Sequence, residues 1–485
     1  MDKELAFSSA KKLAARLKRG SIGCLELLDF YLGRVERYNP ALNAIIAMDI
    51  DGARKRAKAA DRALRRGEVW GPLHGVPVTI KESFDVAGMA TTWGVSQHQY
   101  NIAAKNALAV ERLNTAGAVL FGKTNVPVML GDWQTFNPIY GTTNNPWDVS
   151  RTPGGSSGGA AAALAAGLTG LEIGSDIGAS IRNPAHYCGV YGHKPTFEVC
   201  SAVGQNLPGA LTNKDLNVIG PMARHAEDLA LALDVIAGPS ETDGRAWQLK
   251  LPKPNKTRLR EFRVGLLLTA GTAEADESIQ AVLRKLAEFL VRSGAKVSNN
   301  AVPKIDLATA HRVFIQLLRA ATSGSLSDEV FARAQTAARN SALDNDDYYQ
   351  WMVIAQAMPH RDWHAWNEQR HQMAAAWEEY FTEYDLLLCP AAATTAFPHN
   401  QKGERWERMI TVNGKPQPTT AQMFWAGYSG MAYLPSTVAP IGLAEDGLPV
   451  GVQIIGPRYG DHTCIAFAQL LEKEYYPFTA PAGFT

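Results

Sequence analysis

Short apolar, β-branched runs alternate with helical patterns along most of this 485-residue chain, which restricts it to an α/β architecture. Residues 75–80 (GVPVTI), 118–121, 264–268, 385–389 (DLLLC) and 450–455 (VGVQII) read as buried strands. Helical patterns lie near 5–18, 24–38, 52–66, 107–115 and 160–168, with Gly20 and Gly67 as stops. Residues 274–297 read as a helix followed by a strand, and 305–381 are almost all helical, with many aromatics on one stripe. A last helix is expected near 462–475. Between 122 and 157 the chain is rich in Asn, Pro, Gly, Thr and Trp, the signature of a long ordered loop.

Hydrophobic residues make up 46% and charged residues 20%, enough for a large core without disulfides or metal. A prior of roughly 150 residues per domain suggests about three domains, and one large α/β domain also fits. The net charge of +1, from 48 basic and 47 acidic residues, argues against nucleic acid or an anionic membrane as a charge-driven partner. The five cysteines are widely spaced without a C-x-x-C pair, as expected of buried, reduced thiols. Charges interrupt the first twenty residues, so no signal-peptide apolar core is expected there. The longest apolar run, 158–171, is too short and glycine-rich to span a bilayer. A cytoplasmic location is the expectation.

Two motifs mislead. Residues 117–124 (GAVLFGKT) fit G-x-x-x-x-G-K-[ST], but their variable residues look like a strand, and Asn125-Val126-Pro127 blocks the helix a P-loop needs. Residues 154–159 (GGSSGG) contain G-x-S-x-G in two frames, yet 144–153 make a poor strand for a hydrolase elbow. Alone, GGSSGG reads as a glycine-rich turn with a serine N-cap.

Three features around it point to chemistry. A small-residue helix follows and aims its N-terminal amides back at the serines. Downstream, Asp176-Ile177-Gly178-Ala179-Ser180 forms a strand-end turn whose successive N–H groups can converge on an anion. Upstream, Lys81 ends an apolar strand, where desolvation lowers a lysine pKa and makes it a neutral base. Ser–Lys chemistry needs no histidine.

GVPVTIKE around Lys81, TPGGSSGG around Ser156 and SDIGASIRNPAHYCGVYGHKPT around Ser180 together resemble the amidase signature family. GKTNVP at 122–127, IGPMAR at 219–224, DLLLCPA at 385–391 and GLPVGVQIIGP at 447–457 extend the resemblance over nearly the whole chain. It implies one α/β/α domain over 1–485, with a large mixed central sheet, helices on both faces, and a helical cap at about 305–381. It implies a catalytic triad of Ser180 as nucleophile, Ser156 as bridging serine after a cis peptide, and Lys81 as base. The backbone amides of Ile177, Gly178, Ala179 and Ser180 would form the oxyanion hole. Met129 and Gly131 match positions near substrate, and Trp133, with Phe136, adds apolar surface or plain core. Trp351, Trp363, Trp366 and Trp425 are expected to build a wide apolar mouth suited to aryl or long-chain amides.

Two departures stand out. The family usually has glycine at Ala179 and aspartate at Glu82. The resemblance implies no metal or organic cofactor. The expected activity is hydrolysis of small amides, with aryl esters and carbamates (urethanes) also open, by a stand-alone monomer or homodimer through an acyl-enzyme. The alternative is the glutaminase subunit of a tRNA-dependent amidotransferase. That subunit carries a tyrosine- and glycine-containing run ending near Leu-Asp-Gln-Ile-Gly-Pro, where this chain has FEVCSAVGQNLPGALTNKDLNVIGP. A non-enzymatic binding protein would have little reason to keep Lys81, Ser156 and Ser180 together.

Overall fold

The strand that ends on Lys81 runs Pro77–Lys81 and is buried along its whole length. In the computed structural model, which describes residues 2–485, it pairs parallel with Val119–Thr124, which pairs antiparallel with Ile45–Met48. The P-loop-like run is thus the strand itself, as its apolar residues require.

A larger mixed sheet of eight strands carries the rest. Its order is Lys296–Asn299, Arg263–Leu266, Leu386–Pro390, Pro449–Ile455, Ser436–Leu443, Tyr191–Lys194, Val218–Ala223 and Glu172–Asp176. The first three strands are mutually parallel and every later pairing is antiparallel. The small sheet meets the edge strand of the large one: the Thr79 amide donates to the Leu171 carbonyl at 3.4 Å, and the Thr79 hydroxyl donates to Glu172. This seam brings Lys81 beside Ser175.

Helices cover both faces of the large sheet. Val438 packs into a cluster with Ala185 and Cys188, whereas its neighbour Ala439 packs into the cluster of Leu283 and Phe467. Successive strand residues face opposite sides, so one pair of positions contacts both helical layers. Four helices, Leu307–Ser323, Asp328–Ala338, Tyr348–Gln356 and His360–Glu383, occupy the predicted helical region.

The first predicted helix is two: Asp2–Ala6 and Ala10–Lys18. The Ser9 hydroxyl accepts the Lys12 amide at 3.1 Å and caps the second, which breaks the run. Gly20 and Gly67 take φ of +70° and +78°, as helix stops do. All five cysteines are free and buried. Among the described residues, no helix is long and apolar enough to cross a membrane.

Candidate active site

Lys81 is fully buried, and its Nζ lies 2.6 Å from the Ser156 Oγ. The same Nζ donates to the Ser175 Oγ at 3.0 Å and to the Ser175 carbonyl at 3.4 Å. A neutral amine has two N–H groups and one lone pair. Ser175 can take both N–H groups, which leaves the lone pair for the Ser156 hydroxyl. Burial pulls the Lys81 pKa from 10.5 down to about 7, against the opposing pull of Asp176 and Glu172. Burial also pushes the Glu172 carboxyl up to about 8.

Asp176 ends its strand and organises the turn after it. One carboxylate oxygen accepts the Ala179 amide at 2.9 Å and the Arg182 Nη2 at 2.8 Å. The other accepts the Ile181 amide and the Arg182 Nε, both at 3.0 Å. Burial alone would raise the Asp176 pKa, but the Arg182 charge outweighs it and the net shift is downward. Arg182 Nη1 donates to the Ala426 carbonyl, the Ser429 hydroxyl and the Gln453 side chain, which pins the turn to the sheet.

This geometry corrects one expectation. The Ala179 amide is committed to Asp176 and is not available to an oxyanion. Among the described residues, the amides of Ile177, Gly178 and Ser180 donate to no acceptor, so three of the four expected donors stay free. Ala179 has a φ of +71°, the left-handed region in which glycine is at ease and alanine is not.

The peptide bond before Ser156 is cis, as the resemblance implies. A side chain at Gly155 would lie 2.3 Å from the Asp132 carbonyl, so the loop can close only with glycine there. The Ser157 amide donates to the Ser180 carbonyl at 3.0 Å, tying the two serine segments together. Ser157 stands at the N-terminus of Gly158–Ala165 but makes no side-chain cap, contrary to the cap reading of GGSSGG. Ser156 and Ser180 line one cavity of about 840 Å³. Among the described residues the Ser180 hydroxyl makes no hydrogen bond, so the geometry contains the Lys81–Ser156 link of a relay and leaves the Ser180 link open.

Met129, Gly131, Trp133 and Phe136 line that cavity. Trp133 Nε1 donates to the Gly178 carbonyl at 2.7 Å, which makes it a brace on the turn as well as a wall. The expected tryptophan mouth is not there. Trp425 and Trp351 are buried in an apolar cluster and Trp363 and Trp366 pack against it, because the helices that carry them turn those faces inward. The cavity's aromatics are instead Trp93, Trp133, Phe136, Tyr349 and Trp406.

Sequence reasoning missed several supports. Ser175 opens the SDIGAS run, but the run alone gives it no role, and the strand seam is what places it on Lys81. Gln205 Nε2 donates to the Ser175 hydroxyl at 3.3 Å and to Ser83 at 3.1 Å. Glu82 has a definite role: its carboxylate accepts the Thr92 amide at 2.5 Å and the Trp93 amide at 2.9 Å. The Trp93 carbonyl in turn accepts the Met129 amide at 2.8 Å, so Glu82 braces the cavity wall from beside Lys81.

A family model described as Amidase matches residues 26–465. The chain belongs to the amidase signature family. The amidase is 32% identical over 475 residues to the indoleacetamide hydrolase of Bradyrhizobium diazoefficiens, covering 96% of this chain and 86% of that one. It is 31% identical over 486 residues to one of the subunits of the glutamyl-tRNA(Gln) amidotransferase of Deinococcus radiodurans, covering 96% and 97%. A bacterial aryl acylamidase of the same family superposes with a TM-score of 0.82 at 25% identity, over 98% of this amidase and 99% of that chain. The mixed α/β fold and hydrolase character of this amidase follow from its membership.

Proposed function

We propose that the chain hydrolyses carboxylic amides with Ser180 as nucleophile, Ser156 as relay and Lys81 as base. The carrying observation is the 2.6 Å contact between the Lys81 Nζ and the Ser156 Oγ, with Ser175 taking the remaining N–H groups. Neutral Lys81 takes the Ser156 proton while Ser156 takes that of Ser180. The Ser180 oxygen bonds to the carbonyl carbon, and the carbonyl π pair moves to oxygen. The Ile177, Gly178 and Ser180 amides stabilise that oxyanion. Its collapse breaks the C–N bond, and the proton held on Lys81 returns through Ser156 to the leaving amine. Water then cleaves the acyl-enzyme by the same relay. Aryl esters and carbamates pass through equivalent tetrahedral oxyanions and fall within the same chemistry.

The helices spanning 307–383 serve as a cap in this reading, since Leu318, Arg319, Val330 and Tyr349 from three of them line the cavity. The enzyme acts as a monomer or homodimer on small molecules. Five buried, unpaired cysteines support a reducing, cytoplasmic setting. A fluorophosphonate should add one adduct by intact mass, and Ser180→Ala should abolish it; an unchanged adduct in that variant refutes the nucleophile.

The glutaminase-subunit reading is favoured by a separate observation, the 31% identity to the amidotransferase subunit of Deinococcus radiodurans over nearly its whole length. The run 197–221 does not match that subunit's pattern. Ammonia release from glutamine, with co-purifying partner subunits, would establish it; turnover of simple amides by the isolated chain without glutamine activity excludes it.

A further inference from the structure

The cavity that holds Ser156 and Ser180 also gathers five cationic side chains: Lys214, Arg319, Arg333, Arg405 and Arg408. Among the described residues the cavity lining holds only two carboxylates, and one, Asp132, is already paired with Arg408 at 2.5 Å, while Arg333 is paired on the helix surface with Glu329 at 3.7 Å. The other, Glu404, is exposed at the rim.

Arg319 is the notable member. It sits in the helix Leu307–Ser323 and is only 8% exposed. Its Nε donates to the Tyr348 hydroxyl at 2.7 Å. Among the described residues its two Nη groups donate to nothing, and no carboxylate pairs with it. At other buried guanidiniums Nη groups are satisfied: Arg182 by Asp176, Arg370 by Asp215 at 2.8 Å, Arg34 by backbone carbonyls, and Arg224 by three carbonyls and the Tyr31 hydroxyl. Burial and the nearby Arg405 charge draw the Arg319 pKa down to about 10, so it stays cationic at neutral pH. Arg405 donates to the Gly131 carbonyl and likewise lacks a carboxylate among the described residues. Arg405 is half-buried, and a buried charge such as Arg319 beside a like charge is costly without a counter-ion; an anion between the two removes that cost.

Both arginines line the cavity that holds Ser156 and Ser180. Leu318, next to Arg319, reaches within 4.0 Å of where a Gly178 side chain would stand. Gly131, which Arg405 holds, is two residues from Trp133, whose Nε1 bonds the Gly178 carbonyl. Met129 and Gly131 line the same cavity.

Resting on the amide-hydrolase reading above, we infer that the substrate's acyl part ends in a carboxylate, which Arg319 and Arg405 hold. The preferred substrates are monoamides of dicarboxylic acids rather than purely apolar amides.

The test compares p-nitroanilides of succinic, glutaric and adipic acids with the neutral butanoyl, pentanoyl and hexanoyl anilides of matched length. The best anionic member should exceed its neutral match by about tenfold or more in kcat/KM, mainly through KM, as expected of charge-assisted hydrogen bonds. Added salt should shrink that ratio, and Arg319→Gln and Arg405→Gln should each cut it severalfold. In Ser180→Ala, calorimetry should find the glutaric monoanilide bound about tenfold more tightly than pentananilide. Equal or better use of the neutral anilides overturns the inference, as does a ratio that survives both glutamine variants. Tighter binding of the anion by Ser180→Ala, without hydrolysis of any anilide by the wild type, would uphold the anion site and sink the hydrolase reading.

Discussion

Ala179 takes a φ of +71° and gives its amide to the Asp176 carboxylate at 2.9 Å. The turn is therefore held from inside by Asp176, and an alanine stands where the backbone favours glycine. Ala179→Gly should relieve a left-handed penalty of about 1 kcal/mol and raise the unfolding midpoint. Because this amide is not an oxyanion donor, kcat/KM should change less than about twofold. Thermal unfolding and steady-state kinetics on one preparation check both statements.

Among the described residues, Arg182 is the sole cation bonded to the Asp176 carboxylate, inside a fully buried site. Arg182→Ala leaves that carboxylate unpaired and should cost about 3–5 kcal/mol in chemical denaturation. Arg182→Lys should recover little, since a lysine cannot present the bidentate fork while also reaching Ala426, Ser429 and Gln453.

Trp133→Phe removes the 2.7 Å bond to the Gly178 carbonyl and keeps an aromatic wall. The loosened turn should lower kcat by about tenfold, the scale of one lost buried hydrogen bond, with a smaller change in KM. A pure KM effect would instead make Trp133 a substrate contact only.

The histidines give a contrasting prediction. His186 bonds the Thr394 carbonyl and the Gly451 backbone, and burial lowers its pKa to about 4. His193 bonds Asp461 and Thr437. Neither lines the cavity. His186→Gln and His193→Gln should lower stability while keeping kcat/KM within about tenfold of wild type; His74→Gln and His225→Gln should change it less.

The strand leading to Lys81 was legible because GVPVTI is short, apolar and β-branched; the buried strand Glu172–Asp176 (EIGSD) lacks that pattern, and only the turn that ends it pointed to it. The serine loop was legible because its glycines are sterically forced, as at Gly155. The oxyanion turn was legible in composition but not in detail, since the choice of amides depends on where one carboxylate points. The roles of Ser175 and Gln205 were not legible, although they lie in the SDIGAS and FEVCSAVGQ runs, because their contacts reach segments far apart in sequence. The four tryptophans misled for a related reason: an aromatic stripe does not say whether its face turns to a core or to a cavity. Arg319 escaped notice because its significance lies in its having no carboxylate partner among the described residues, which only the packed neighbourhood reveals.

The pKa of Lys81 bears most directly on the central claim, that a neutral lysine drives Ser180. The rate of Ser180 phosphonylation by a fluorophosphonate, followed from pH 5 to 9, isolates that step from leaving-group chemistry. With a base whose pKa is lowered to about 7, the reactive neutral fraction grows with pH. The rate should rise about tenfold per unit below that value and flatten above it. Lys81→Ala should lose several orders of magnitude and all of the pH dependence. A profile that persists in Lys81→Ala, together with its loss in one of the histidine variants, would contradict the account.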